Sequence, residues 1–90
     1  MAPLYQVYVL RNVSGRLYLG VTVEVSHRLT QHNAGESKWT TKFRPWELIW
    51  TSSELSHGDA RRLENLLKRQ KGGDGLYRLT GISRTNASGS

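Results

Sequence analysis

The chain has 90 residues, of which 37% are hydrophobic and 22% charged, values typical of one small folded domain rather than of a disordered chain. Lys and Arg number 13 against 7 Asp and Glu, so the net charge is +6 and indicates a polyanionic partner, either nucleic acid or an anionic membrane surface. With no apolar run of membrane-spanning length, no signal-peptide pattern and no cysteine, we expect an intracellular, cytoplasmic protein without disulfides, a thiolate zinc site or a cysteine nucleophile.

The first half of the chain predicts a β-hairpin. Residues 5–10 (YQVYVL) are β-branched and aromatic residues for the most part, which favour strands. Residues 12–15 (NVSG) have turn chemistry, because Gly15 can take a positive φ, and residues 17–22 (LYLGVT) predict the returning strand. Gly20 inside that strand indicates a bulge or the close approach of another group to its backbone.

A helix is predicted over residues 23–33. Val25, Leu29 and His32 recur at positions i, i+4 and i+7, which gives this helix one partly apolar face. Gly35 is well placed to end it, since glycine takes the left-handed conformation common after a helix.

A basic loop and a third strand follow. The loop covers residues 36–45 and its cations are Lys38, Lys42 and Arg44. Pro45 interrupts the chain before the third predicted strand, residues 46–51 (WELIWT). Trp39 and Trp46 flank the loop and can stack on an unpaired nucleobase, although a place in the core is an equal alternative for Trp46.

The second helix has the clearest pattern in the sequence. Ser56 and Asp59 have the spacing of a capping box, in which each residue's side chain caps the other's backbone N–H. Apolar residues then recur at helical spacing: Ala60, Leu63, Leu66 and Leu67. Gly72 and Gly73 predict the end of this helix. Residues 76–79 (LYRL) form a further short element whose type the pattern does not fix.

The order of these elements, β-β-α-β-α, predicts an α+β fold in which a small three-stranded antiparallel β-sheet is flanked by helices. We expect a single domain over residues 1–82, because no repeat or internal linker interrupts it. Residues 83–90 (SRTNASGS) are small and polar and predict a flexible tail.

Several catalytic motifs are missing from the sequence. It has no HxxxH pair for zinc, no Gly-rich phosphate loop and no nucleophile elbow. Its 7 acidic residues are scattered, whereas a two-metal nuclease needs several carboxylates to hold its ions. The sequence therefore disfavours the two-metal class of nuclease.

Five other residues have a suggestive arrangement. Tyr8 and Tyr18 lie one on each strand of the hairpin, Arg28 and His32 share one face of the first helix, and Glu64 lies midway along the second helix. If these faces converge, the set suits phosphodiester hydrolysis. The carboxylate can hold one divalent cation, the guanidinium can neutralise charge on phosphoryl oxygens, and a phenol or imidazole can take a proton from water.

Each of these residues also has a purely structural interpretation. A tyrosine on a strand is more often a packing residue than a catalyst. Arg28 can be a surface ion-pair partner and His32 a satisfied helix residue, while Glu64 can pair with Arg61 or Lys68 along the helix. The order and spacing of all five residues together favour the catalytic interpretation.

Four sequence elements resemble the GIY-YIG nuclease superfamily. Val7-Tyr8-Val9 stands at the position of the GIY element, and residues 17–20 (LYLG) stand at that of the YIG element. Residues 27–33 (HRLTQHN) match the RLxxHN pattern of small stand-alone members. Residues 60–68 (ARRLENLLK) resemble the AxxxExxLK helix that carries the metal-binding glutamate. The resemblance covers nearly the whole folded chain.

The resemblance implies a role for each of the five residues. Tyr8 would activate or place the attacking water, and Tyr18 would support that water and the scissile phosphate. Arg28 would stabilise the transition state, and His32 would carry a proton or contact the phosphate. Glu64 would bind a single Mg²⁺ or Mn²⁺ ion.

The sequence departs from the family pattern at three positions. Gln6 replaces the first glycine of GIY, Val7 replaces the isoleucine of GIY, and Leu19 replaces the isoleucine of YIG. Gly20 does match, and the resemblance implies that it keeps the strand slim where metal and phosphate approach. A C-terminal asparagine found near the site in some larger members has no clear counterpart, which affects the expected positioning of substrate.

The resemblance implies a metal-dependent endonuclease that hydrolyses DNA phosphodiester bonds by single-metal water attack and leaves a 3′-hydroxyl and a 5′-phosphate. Two alternatives stay open: a non-catalytic nucleic-acid-binding module, and a catalytic subunit that needs a protein partner for targeting. The predicted phosphate contacts are Lys38, Lys42, Arg44, Arg61 and Arg62. The sequence leaves open the strandedness of the substrate, DNA against RNA, the oligomeric state and the pathway, DNA repair or another.

Overall fold

The computed structural model describes residues 3–35, 42–71 and 74–82. The strands are β1 (Gln6–Asn12), β2 (Leu17–Thr22) and β3 (Trp46–Thr51). The helices are α1 (Val25–Asn33), α2 (His57–Arg69) and α3 (Asp74–Thr80). The predicted tail over residues 83–90 lies outside the described residues.

The three strands form one antiparallel sheet in the order β2-β1-β3, so the first strand is central. Tyr8 on β1 pairs with Gly20 on β2 and with Thr51 on β3. The register between β1 and β3 shifts between Val9 and Leu10. This sheet confirms the predicted α+β fold with three antiparallel strands.

Helices cover both faces of the sheet because successive residues of β1 point to opposite sides. On one side Val7 packs with Ala60 and Leu67 of α2 and with Leu76 of α3. On the other side, Tyr8 and Leu10 pack with Val25 of α1 and with Trp46. A central strand buried on both faces explains why the middle of β1 reads as a continuous apolar run.

The ends of α1 and α2 differ in detail from the sequence prediction. Helix α1 starts at Val25 rather than at residue 23, and Gly35 follows it with a φ of 85°, as predicted. At the start of α2, Ser56 Oγ accepts a hydrogen bond from the Asp59 N–H at 3.2 Å. The Asp59 carboxylate instead accepts a 2.6 Å hydrogen bond from Arg62, so only half of the expected capping box forms.

The C-terminal half of the chain brings two further corrections. Helix α2 ends at Arg69, and Lys71 then takes a positive φ of 52°, so the helix stops before Gly72 and Gly73, which lie outside the described residues. Leu66, predicted as part of the apolar face, is 37% exposed. The short element at residues 76–79 belongs to helix α3.

Two asparagines attach the end of the basic loop to the rest of the domain. Asn33 at the end of α1 accepts from the Trp46 N–H at 2.7 Å and donates to the Trp46 carbonyl at 3.0 Å. Asn12 donates to the Phe43 carbonyl at 3.0 Å, and the Arg16 guanidinium lies 4.3 Å above the Phe43 ring. These contacts fix α1 against the start of β3 and thereby orient the residues that α1 carries.

Candidate active site

Four of the five predicted catalytic residues line one cavity of about 310 Å³ beside the edge strand β2. Tyr8 comes from β1, Tyr18 from β2, Arg28 from α1 and Glu64 from α2. The fold therefore brings together side chains from both faces of the sheet. The other residues around this cavity, which we call the catalytic pocket, are Tyr5, Gly20, Val21, His57, Arg61 and Lys68.

Tyr8 is held in the wall of the pocket by its two neighbours. Its side chain is buried, with 1% of the residue exposed, and its hydroxyl lies 3.0 Å from Nε2 of His32. On the facing strand, a Cβ added to Gly20 would overlap the Tyr8 hydroxyl and lie 2.6 Å from Cζ of the ring. The group that approaches Gly20 most closely is thus the Tyr8 ring, and only glycine leaves room for it.

Burial and Arg28 control the protonation of Tyr8. Burial raises the pKa of Tyr8 to about 12, although the hydrogen bond from Arg28 opposes this rise. The same hydrogen bond to Tyr8 raises the pKa of Arg28, which also interacts with Tyr18. Arg28 Nη1 donates to Gln31 Oε1 at 3.0 Å as well. At neutral pH the pocket therefore holds a protonated phenol beside a fixed positive charge.

His32 is completely buried, with 0% of the residue exposed. Burial lowers the pKa of His32, and the positive charge of Arg28 lowers it further, so the imidazole is neutral at neutral pH. In the tautomer that carries hydrogen on Nδ1, Nε2 accepts the hydrogen bond of the Tyr8 hydroxyl. The His32 ring also contacts the Tyr18 ring edge-on, with centroids 4.7 Å apart, so one side chain orients both tyrosines.

Glu64 is a buried carboxylate between two cations. Only 8% of the residue is exposed, and its Oε1 lies 3.4 Å from Nε of Arg61 while its Oε2 lies 3.1 Å from Nζ of Lys68. Both cations have more than half of their side chains exposed. They compensate the charge of Glu64 and leave a positive rim around the pocket.

The donor set of the pocket fits one hard divalent cation. Within residues 3–35, 42–71 and 74–82, no group of three or more His, Cys, Asp or Glu side chains is placed to hold a metal ion. Mg²⁺ keeps several of its waters and binds through one or two carboxylates together with substrate phosphates. Glu64 supplies the one carboxylate such a site requires, whereas a two-metal site needs more.

The comparisons with known proteins identify the family. The model of the GIY-YIG catalytic domain matches residues 4–77, a span that contains every residue of the catalytic pocket. The chain belongs to the GIY-YIG family. The resemblance of the motifs to that family is thereby confirmed.

Relatives of this GIY-YIG domain are small bacterial proteins. A UPF0213 protein of Nitratidesulfovibrio vulgaris is 42% identical over 65 residues, which cover 71% of this chain and 59% of the relative. A UPF0213 protein of Streptococcus agalactiae is 38% identical over 69 residues, or 76% of this chain and 77% of the relative. One from Aeromonas salmonicida is 33% identical, and the match spans only 52% of its length. The domain thus corresponds to part of some relatives and to most of others.

The predicted phosphate-binding cations of this GIY-YIG domain occupy different places. Arg61 lines the catalytic pocket, whereas Arg62 pairs with Asp59 and does not line it. Lys42 and Arg44 are exposed outside the pocket, and Arg44 donates to the Asn33 carbonyl at 3.4 Å. Lys38 lies outside the described residues.

Two aromatic predictions of the loop have different outcomes. Trp39 lies outside the described residues. Trp46 is 3% exposed and packs in the core beneath α1, so it is not available to stack on a base.

In the described part of the chain, no helix is long and apolar enough to cross a membrane.

Four residues of the pocket were not predicted as site residues from the sequence: Tyr5, Val21, His57 and Lys68. Tyr5 and His57 face each other with ring centroids 4.6 Å apart, and both line the pocket. Neither belongs to a motif of the GIY-YIG family quoted above. The available signal was position in the chain, since Tyr5 directly precedes β1, the strand that carries Tyr8, and His57 begins the helix that carries Glu64.

Proposed function

We propose that the chain is a metal-dependent endonuclease that hydrolyses DNA phosphodiester bonds by attack of water and leaves a 3′-hydroxyl and a 5′-phosphate. The observation that supports this proposal best is the meeting of Tyr8, Tyr18, Arg28 and Glu64 in one pocket. These side chains come from four different elements, and a protein that only binds DNA has no need to collect two phenols around a buried carboxylate.

In the proposed reaction, Tyr8 and His32 form a proton relay. The Tyr8 oxygen takes a proton from the attacking water while the Tyr8 proton passes to Nε2 of His32, 3.0 Å away. A pKa of about 12 for Tyr8 disfavours a free phenolate at neutral pH, and the relay avoids forming one. After hydrolysis the imidazolium returns its proton through Tyr8 to solvent. His32 thus acts as the proton carrier rather than as a phosphate contact, because its ring is buried.

Arg28 and Glu64 would divide the electrostatic work. Arg28 stays charged and points into the pocket, where it can stabilise the negative charge that develops on the phosphoryl oxygens. Glu64 would hold Mg²⁺ or Mn²⁺, and the bound ion would supply Lewis-acid stabilisation of the phosphate and of the leaving oxygen. Tyr18, oriented by His32, would position the attacking water and the scissile phosphate.

Two other functions are tested by the same assay. A non-catalytic nucleic-acid-binding module is favoured by the net charge of +6, which serves binding whether or not cleavage follows. The other alternative is a catalytic subunit that depends on a protein partner for targeting. The first predicts binding without cleavage, and the second predicts cleavage that rises when a cell extract is added.

The decisive experiment is a cleavage panel over single strands, duplexes, flaps and RNA, with Mg²⁺, Mn²⁺ or chelator, on the wild type and on Glu64→Gln. We expect metal-dependent products with 5′-phosphates from the wild type. Glu64→Gln should bind DNA but not cleave it, because the substitution removes the metal ligand and keeps the basic rim. Glu54→Gln, an exposed carboxylate outside the pocket, is the matched control. Wild-type cleavage by Glu64→Gln contradicts the proposal.

A further inference from the structure

A second cavity, of about 630 Å³, adjoins the catalytic pocket. Tyr18, Glu64 and Lys68 line both cavities, so the two cavities lie on either side of the same three side chains. The volume lies in the range of about 300–1,000 Å³ found for sites that take small organic ligands. We call this second cavity the side groove.

The walls of the side groove have a mixed character. Four leucines surround it: Leu17 and Leu19 of β2 are half-buried, whereas Leu67 of α2 and Leu76 of α3 are buried. Tyr77 of α3 adds a half-buried aromatic ring. Lys68 and Lys71 add two ammonium groups at the end of α2, where the positive φ of Lys71 ends the helix. The groove therefore offers an apolar and aromatic surface beside two cations.

We propose that the side groove is a nucleotide subsite, which takes the base of the nucleotide next to the scissile phosphate. This proposal rests on the proposed nuclease function. The base packs on the half-buried Leu17 and Leu19 and on the Tyr77 ring, as bases do on aromatic side chains in single-strand binding sites. Lys71 binds the phosphate of that nucleotide. Tyr77 and Lys71 are thus specificity-determining residues that none of the motifs includes.

Adjacency and charge select a nucleotide as the occupant. A strand whose phosphate lies among Arg28 and Lys68 in the catalytic pocket has the groove directly beside it, because Lys68 lines both. The cations complement a phosphodiester chain, and the apolar surface complements the face of a base. Glu64 at the junction is compensated by Arg61 and Lys68, so its charge does not repel the strand.

The subsite has a consequence for the substrate. In a duplex, bases are stacked and paired in the interior, so a base reaches this groove only when it is unstacked. The nucleotide beside the cut is therefore unpaired or extruded in the productive complex. Because stacking on an aromatic ring tolerates every base, the groove selects an unstacked base without a strong preference for its identity.

The test is an abasic scan. Single-stranded oligonucleotides carry one abasic residue at each position around the cut, and kcat/KM is measured for each. We expect a loss of about fivefold or more at one position next to the cut, the lower end of the effect of one base–aromatic stack. Tyr77→Ala should remove this position dependence and Tyr77→Phe should restore it. Arg78→Ala, exposed on the same helix and absent from the groove lining, should behave as the wild type.

The proposal is overturned if kcat/KM of the wild type is the same for every abasic position. It is also overturned if folded Tyr77→Ala shows the same dependence on abasic position as the wild type. If circular dichroism finds Tyr77→Ala unfolded, the exposed Lys71→Ala replaces it. Loss of the phosphate contact should then raise KM and lower the slope of log K against log salt concentration for DNA binding by about one. An unchanged slope overturns the proposal. If the wild type cleaves nothing, the nuclease function fails, and fluorescence anisotropy compares the binding of short single-stranded oligonucleotides with and without abasic residues to the wild type and to Tyr77→Ala. Weaker binding of the abasic strands by the wild type but not by Tyr77→Ala supports the groove, and equal binding by both proteins refutes it.

Discussion

Adding one methyl group at Gly20 should damage both stability and catalysis. In Gly20→Ala the new Cβ would lie 2.6 Å from Cζ and 2.8 Å from Cε1 of Tyr8. An ordinary contact begins near 3.4 Å, so the ring has to retreat by about 0.8 Å. Tyr8 is 1% exposed on the central strand, where overpacking of this kind costs about 1–3 kcal/mol.

The effect on catalysis follows from the same displacement. The Tyr8 hydroxyl has to stay within reach of His32, 3.0 Å away, and a misplacement near 1 Å can cost on the order of 100-fold in rate. We therefore expect kcat to fall by about that factor. The melting temperature should fall by at least about 4 °C, the usual change for 1 kcal/mol in a domain of this size.

The measurements are thermal and urea unfolding followed by circular dichroism, and cleavage at a temperature where both proteins are folded. Gly58→Ala is the matched control, because a Cβ at that helical position meets nothing within 4 Å. It should leave kcat unchanged and raise stability by up to about 1 kcal/mol. A Gly20→Ala protein with wild-type melting temperature and wild-type kcat would refute the reasoning.

Three further substitutions at ionisable groups of the site give four predictions. The pKa of buried His32 is lower in the folded protein than in the unfolded chain, where it is about 6.5. The stabilisation by neutral His32 is therefore complete above about pH 6.5 and is lost as the pH falls further. His32→Gln should flatten the dependence of the free energy of unfolding on pH between about pH 7 and pH 5. The same substitution should lower kcat by about 10²-fold or more, since it removes the proton acceptor of Tyr8, and an unchanged kcat would exclude the relay. Lys68→Met should tighten Mn²⁺ binding by up to about fivefold in calorimetry, because it removes an ammonium that lies 3.1 Å from Glu64 and competes with the metal for it. The factor follows from the value of such half-exposed ion pairs, up to about 1 kcal/mol. Weaker Mn²⁺ binding would show that Lys68 and the metal do not compete for Glu64. Arg61→Ala should lower the slope of log K against log salt for DNA binding by about one, and an unchanged slope would remove Arg61 from the phosphate contacts.

The sequence alone predicts those elements correctly whose local residue pattern agrees with their burial in the fold. The hairpin is predicted by strand-forming residues on either side of a turn with glycine at its end, and both strands form within two residues of the predicted bounds. The apolar face of α1 is confirmed by the burial of Val25 and His32. The order of the elements indicated the α+β fold correctly, because so few strands leave few ways to cover a sheet with helices.

The sequence could not supply the contacts that cross between elements. The i, i+4 spacing of Arg28 and His32 predicts a shared helix face, but it does not reveal that His32 is buried against a tyrosine hydroxyl. Asp59 had two possible partners within one helical turn, and an arginine competed successfully with the backbone N–H. The side groove depends on the packing of α2 against α3, and α3 has the shortest and least regular pattern in the chain.

The catalytic pocket lies at the edge of the sheet and is lined from both of its faces, so its geometry depends on the packing of the whole domain. One helical layer supplies the guanidinium and the imidazole, and the layer on the opposite side supplies the carboxylate. Loosening of either layer separates the partners, even when the change lies far from the reacting bond. If the domain hydrolyses DNA as proposed, its turnover depends on two hydrophobic cores at once, and a substitution deep in either core changes the rate without touching the reacting groups.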